Sequence, residues 1–146
     1  MIVVERTEQD VEALTRCKVI PQPDERDYAG VVVTKPWGRE VQIHNQGAVA
    51  IWRLTLWAMQ ETSMHCHPCK RTILMVESGK VTLQTLNGWY DLSPGDVAHV
   101  EAGAFHRSST VGGAVILEVE SPPIKHDLVR LYDRYGREGQ GYERIA

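Results

Sequence analysis

The chain has 146 residues, of which 42% are hydrophobic and 24% are charged, as expected of one folded domain. Its formal net charge of −3 lacks the basic excess with which proteins bind a nucleic-acid backbone. The apolar runs are too short for a bilayer span or a secretion signal. From these properties we expect neither a nucleic acid nor a membrane to be a partner of the protein.

The cysteines number three, and they lie at Cys17, Cys66 and Cys69. An odd number in a chain with no predicted secretion signal favours reduced thiols and a cytoplasmic location. Cys66 and Cys69 form a CxxC pattern, which is found in redox and zinc sites. No thioredoxin-like βαβ pattern surrounds them, so we expect two free thiols.

Residues 1–29 are predicted to form a short helical arm that packs on the main domain. Thr7 followed by Asp10 is typical of a capped helix start. Leu14 belongs to the apolar stripe of this helix, and Pro21 is expected to end it.

Residues 30–121 have the pattern of an all-β barrel. Short β-rich runs alternate with turn signals, at residues 31–34, 40–44, 48–57, 73–76 and 81–86. Asn87-Gly88 predicts a two-residue hairpin with a type I′ turn. In the last run, Val115, Leu117 and Val119 share one face, whereas Glu118 and Glu120 share the other.

Residues 122–146 form a charged C-terminal tail with three tyrosines. The segment from Asp127 to Tyr132 is predicted to hold a short helix.

Three histidines have the spacing of a metal site. His65 and His67 are two residues apart beside a predicted strand, so their side chains point to the same face. His106 is placed at the start of another strand. Three neutral imidazoles with open coordination positions suit Fe(II), Zn, Mn, Ni or Cu.

These residues carry a resemblance to the cupin superfamily. His65-Cys-His67 with Gly79 resembles the first cupin motif, and Gly95-Asp96 with Gly103-Ala-Phe-His106 resembles the second. The resemblance covers residues 30 to 120. It implies a double-stranded β-helix, or jelly roll, with one divalent metal ion (Zn, Mn, Fe or Ni) bound by His65, His67 and His106.

Two further segments are similar to one group of cupins. Lys35-Pro-Trp-Gly-Arg-Glu40 and the segment 127–137 resemble parts of the mannose-6-phosphate isomerases and their sugar-nucleotide relatives. The motifs also differ from the family pattern at three positions. Thr72 replaces the metal-binding glutamate, Glu101 replaces a proline and Thr110 replaces an asparagine.

Three functions fit this pattern. The first is a metal-dependent isomerase or epimerase of a sugar, sugar phosphate or nucleotide sugar, with His99 or Glu101 as the general base. The second is an Fe(II) dioxygenase, because some cupins use three histidines without the glutamate. The third is a binding protein without catalysis.

The expected ligand is a small, anionic or oxygen-rich molecule. Three imidazoles leave the charge of a divalent metal uncompensated, so an anion is favoured. Lys70, Arg71 and Arg107 lie close in sequence to the histidines and could add to this field. Cupins often pair edge strands, so a homodimer is an open expectation.

Overall fold

The computed structural model describes residues 1–18, 27–140 and 142. It contains one helix and two β-sheets among these residues, and it confirms the predicted all-β jelly roll. The elements are β1 (Ile2–Val4), α1 (Glu8–Thr15), β2 (Val32–Lys35), β3 (Gly38–Gln46), β4 (Val49–Leu56), β5 (Met64–Cys66), β6 (Arg71–Gly79), β7 (Val81–Thr85), β8 (Trp89–Leu92), β9 (Val97–Val100), β10 (His106–Ser109), β11 (Ala114–Ser121) and β12 (Val129–Tyr132).

The larger sheet has seven strands in the order β1-β9-β6-β11-β4-β3-β2. Its central strands place alternate residues in the barrel interior, where Trp52, Leu74 and Ile116 are at most 4% exposed. The smaller sheet has five strands in the order β12-β5-β10-β7-β8. The two sheets enclose one main apolar core.

The helix α1 begins as predicted. The Thr7 hydroxyl accepts a hydrogen bond from the Asp10 backbone N–H, and the Asp10 carboxylate accepts one from the Thr7 N–H. Ala13 on this helix packs with Cys66 and Phe105 in a second apolar cluster. The helix therefore covers the smaller sheet beside the predicted metal ligands. The helix ends at Thr15, capped by Arg16, so the prediction that it continues to Pro21 is wrong; Pro21 itself lies outside the described residues.

The predicted hairpin at Asn87-Gly88 is confirmed, but its turn type is wrong. Strands β7 and β8 pair, and the Thr85 N–H donates to the Gly88 carbonyl at 2.7 Å. Neither Asn87 nor Gly88 has the positive φ that a type I′ turn requires. The Thr85 hydroxyl accepts from the Asn87 N–H at 3.2 Å and stabilises a different turn.

The predicted helix from Asp127 to Tyr132 is also wrong. Residues 129–132 form strand β12, which pairs antiparallel with β5. Here a long-range strand partner overrides a weak local preference. At the other end of the chain, β1 pairs with β9 in parallel register. In residues 1–18, 27–140 and 142, no helix has the length and apolar content to cross a membrane.

Candidate metal centre

The smaller sheet brings two of the predicted ligands directly together. His65 in β5 and His106, the first residue of β10, are paired across adjacent antiparallel strands. His67 lies just beyond β5, two residues from His65, so its side chain points to the same side. The imidazole ring centroids lie 4.5 to 5.4 Å apart.

All three imidazoles are oriented by backbone carbonyls through their Nδ1 atoms. His65 Nδ1 lies 2.8 Å from the Ser63 oxygen, and His106 Nδ1 lies 2.9 Å from the Ala104 oxygen. His67 Nδ1 lies 2.7 Å from the Asp127 oxygen. A carbonyl oxygen can only accept, so each Nδ1 must carry the proton. Each Nε2 therefore keeps its lone pair, as a metal-binding histidine needs.

Burial keeps these imidazoles neutral. It lowers the pKa of His106 to about 4. Burial, followed by the positive charge of Lys70, lowers the pKa of His67 well below its ordinary value. Burial and the neighbouring His106 do the same to the pKa of His65. Neutral imidazole is the form that binds a metal.

The donor set fits a metal ion. One potential ligand atom from each of the three histidines lies within 4.8 Å of the other two. His67 Nε2 is buried and has no hydrogen-bond partner among the residues that the structure describes. A buried polar atom without a partner is costly, and a bound cation would satisfy it. His65, His67 and His106 can therefore hold a divalent metal of the kind that accepts nitrogen ligands.

Two neighbouring segments fix the positions of these ligands. The Asp127 carboxylate accepts hydrogen bonds from the backbone N–H groups of Cys69 and Lys70 at 2.8 and 2.9 Å. The Asp10 carboxylate accepts from the Phe105 N–H at 3.0 Å, one residue before His106. The helix and the C-terminal segment thus hold the loops that carry the ligands.

The position expected to hold the family glutamate is buried. Thr72 in β6 is 1% exposed, and within the described part of the chain its Oγ1 has no hydrogen-bond partner. It is paired with Glu120 of β11, so a carboxylate is present on the neighbouring strand. That carboxylate accepts a hydrogen bond from Lys70 Nζ at 2.6 Å.

A polar cavity adjoins the histidines. Its interior of about 50 Å³ has room for a few water molecules, and the cleft with its open mouth measures about 420 Å³. Five basic residues line it, namely Lys35, Lys70, Lys125, Arg130 and Arg137. Two acidic residues, Glu40 and Glu118, also line it. The excess of cations makes the cleft suited to an anionic group.

The structure does not bring His99 and Glu101, the predicted general bases, to this cavity. The interior positions of β9 are occupied by Ala98 and Val100, so His99 points to the opposite face. Glu101 is exposed, and its carboxylate accepts a hydrogen bond from the Arg6 N–H at 2.9 Å. Neither residue is among those that line the cleft.

Of the other candidate residues named from the sequence, the structure brings one to the cavity and keeps the rest away from it. Cys66 is buried in the second apolar cluster, away from the cavity, and Cys66 and Cys69 are free thiols. Lys70 lines the cavity, as expected of a residue next to the ligands. Arg71 is exposed and Arg107 lies 4.0 Å from Glu61, and neither lines the cavity.

Sequence reasoning missed the interior carboxylates. Glu118 is 6% exposed and Glu120 is 1% exposed, although charged residues on one face of a strand usually point to solvent. The alternation in residues 115–120 did show that they share a face. Ala114 and Ile116 lie on the same face and are buried, so these two apolar residues were a signal that this face was interior.

Comparison with known proteins identifies the fold. Residues 52–120 match the cupin domain family. No curated protein sequence matches the chain significantly. Among solved structures, KdgF from Halomonas sp. is 15% identical, with a TM-score of 0.59 over 62% of this chain and 84% of that one.

Two further structures are similar. A sugar phosphate isomerase of the cupin superfamily from Silicibacter pomeroyi is 19% identical, with a TM-score of 0.54 over 58% of this chain and 59% of that one. An RmlC-like cupin from Shewanella frigidimarina is 15% identical, with a TM-score of 0.60 over 64% of this chain and 85% of that one. The barrel therefore has the cupin jelly-roll fold, residues 52–120 are similar to the cupin domain family, and a three-histidine cluster lies inside the barrel.

Proposed function

We propose that the protein is a metal-dependent isomerase or epimerase of a sugar, sugar phosphate or nucleotide sugar. The observation that carries the proposal is a cluster of three neutral imidazoles, two of which, His65 and His67, line a cleft with more basic than acidic residues. Such a cleft favours a small, oxygen-rich, anionic ligand. A divalent metal supplies an electrophile that polarises a substrate carbonyl group.

The residues around the cleft would divide the remaining work. The Nδ1 hydrogen bonds hold the imidazoles in one orientation, which avoids rearrangement during the reaction. Arg130 lies in the same lining as His65 and His67 and would attract a phosphate or carboxylate group. Because the interior is small, only the reacting end of a sugar would enter it, and the rest would occupy the mouth.

Deuterium exchange tests this proposal. The metal-loaded protein is incubated in D₂O with a panel of sugar phosphates and nucleotide sugars, and exchange at the carbon next to the carbonyl group is followed by NMR. We expect exchange that is lost in His106→Ala and retained in His44→Ala, a variant of an exposed histidine. Absence of exchange with every compound would contradict an isomerase or epimerase.

A three-histidine Fe(II) dioxygenase is the second candidate. The observation in its favour is Thr72, which leaves three neutral ligands with no carboxylate from the first motif. Oxygen uptake by the iron-loaded protein, measured with the same compounds and with hydroxy-keto acids, would distinguish it. A ligand that binds tightly and is released unchanged, without oxygen uptake, would favour a binding protein.

A further inference from the structure

The barrel interior contains three buried glutamates that differ in their surroundings. Glu40, Glu118 and Glu120 are 3%, 6% and 1% exposed. Glu40 and Glu118 line the same cavity as His65 and His67, whereas Glu120 is paired with Lys70. When the surroundings of neighbouring carboxyl groups shift their pKa values in opposite directions, the difference indicates which group is suited to transfer a proton.

Glu40 is held in its ionised form. Its carboxylate accepts hydrogen bonds from Lys125 Nζ at 3.2 Å and from the Tyr142 hydroxyl, and Lys35 Nζ lies 3.5 Å away. Burial acts to raise the pKa of Glu40, but the two lysines outweigh it and lower the pKa to about 2. This carboxylate is a weak base whose oxygens are already engaged.

Glu120 is engaged at both oxygens. Its Oε2 accepts from Lys70 Nζ at 2.6 Å, and its Oε1 accepts from Trp52 Nε1 at 3.0 Å. All three side chains are at most 1% exposed. Glu120 therefore acts as the counter-ion that holds Lys70 in the barrel.

Glu118 differs from both. Within the described part of the chain its carboxylate accepts no hydrogen bond, and its one ion-pair contact is Lys125 Nζ at 3.7 Å. Burial raises the pKa of Glu118, since Lys125 and Lys70 oppose this effect only in part while Glu120 and Glu40 add to it. A carboxylate with raised proton affinity in a ligand cavity is suited to acid–base catalysis.

The position of Glu118 connects it to the imidazoles. It lies in the middle of β11, paired with Trp52 of β4 on one side and with Leu74 of β6 on the other. Lys70, which lines the same cavity, acts electrostatically on both Glu118 and His67. A ligand that spans the cavity would therefore contact the histidine cluster and this carboxylate.

We propose that Glu118 is the proton-transfer residue of the cleft, an inference that rests on the proposed function. In the isomerase form, the carboxylate accepts the proton from the hydroxyl-bearing carbon next to the substrate carbonyl group. The electron pair of that C–H bond forms the C=C bond of an enediolate. The Glu118 carboxyl group then returns the proton to the former carbonyl carbon, and the hydroxyl proton passes to the former carbonyl oxygen. An aldose and a ketose interconvert with no other reactant.

The test combines three measurements on the full chain. Glu118→Gln preserves the size of the side chain, and Glu77→Gln is a matched control because Glu77 is exposed on β6. Zinc binding is measured by calorimetry, and deuterium exchange into sugar phosphates is measured by NMR. The carboxyl group is titrated by ¹³C NMR of the metal-free wild type labelled at glutamate side chains, with Glu118→Gln assigning its signal.

We expect Glu118→Gln to bind zinc within about threefold of the wild type and to lose deuterium exchange by about 10²-fold or more. Glu118→Asp is expected to restore part of the exchange, and the signal of Glu118 is expected to titrate above the ordinary range of glutamate. Wild-type exchange that persists within twofold in Glu118→Gln would overturn the inference and leave the proposed function standing. A Glu118 signal that titrates in or below the ordinary range would also overturn it. Absence of exchange in the wild type would overturn the proposed function and this inference together.

Discussion

The Lys70–Glu120 pair offers the most direct test of the buried charges. Both side chains are 1% exposed, and Lys70 Nζ lies 2.6 Å from Glu120 Oε2. Lys70→Met removes the cation and leaves a buried Glu120 carboxylate, whose one remaining hydrogen-bond donor among the described residues is the Trp52 N–H. Breaking one side of such a pair costs about 3–5 kcal/mol. We expect a loss of this size in the free energy of unfolding, measured by urea denaturation at pH 7 with a chelator.

Two variants serve as controls. In Lys70→Met/Glu120→Gln neither charge remains, and the amide oxygen still accepts from Trp52, so most of the loss should be recovered. Arg53→Met breaks an exposed pair with Glu77, at 3.1 Å, and should cost about 1 kcal/mol or less. A cost below about 1 kcal/mol for Lys70→Met, or a double variant no more stable than the single one, would refute the reasoning.

Three further predictions follow from the interior. Thr72→Glu places a carboxylate at a buried position of the first motif and should raise zinc affinity; an unchanged affinity in calorimetry would contradict the placement of this residue. The pKa of Glu40 is about 2 in the folded chain, whereas its ordinary value is 4.5. The ionised Glu40 carboxylate therefore contributes fully to the free energy of unfolding above pH 4.5, and this contribution is lost as the pH falls towards 2. The loss amounts to about 3 kcal/mol and should be smaller in Glu40→Gln, as measured by urea denaturation across this range. Cys69 should react with a thiol reagent in the folded protein, whereas Cys66, whose pKa burial raises to about 12, should react only after unfolding; equal rates would contradict the burial of Cys66.

The local patterns predicted those elements that depend on neighbouring residues in the sequence. Thr7 and Asp10 predicted the helix start, and Asn87-Gly88 predicted the position of a hairpin. The spacing of His65 and His67 predicted one shared face, and the second motif supplied His106. These features depend on strand periodicity and capping, which a single sequence records.

The features that sequence reasoning missed depend on pairing between distant segments. Strand β12 forms because β5 offers an edge, which the segment 127–132 does not itself reveal. Glu118 points inward because Lys125 partly compensates its charge, although the two residues lie on different segments. His99 was expected to reach the pocket together with Glu101 because the two lie two residues apart on one strand, yet the alternation of β9 directs Ala98 and Val100 inward instead.

Metal content is the measurement that tests the central claim most directly. The protein is stripped with a chelator, dialysed against Zn²⁺, Mn²⁺ or Fe²⁺ at micromolar concentration, and analysed by mass spectrometry of the bound metal. We predict about one metal ion per chain in the wild type and in His44→Ala, and loss of most of it in His67→Ala. Full metal content in the double variant His65→Ala/His106→Ala would contradict a metal centre built from these three histidines.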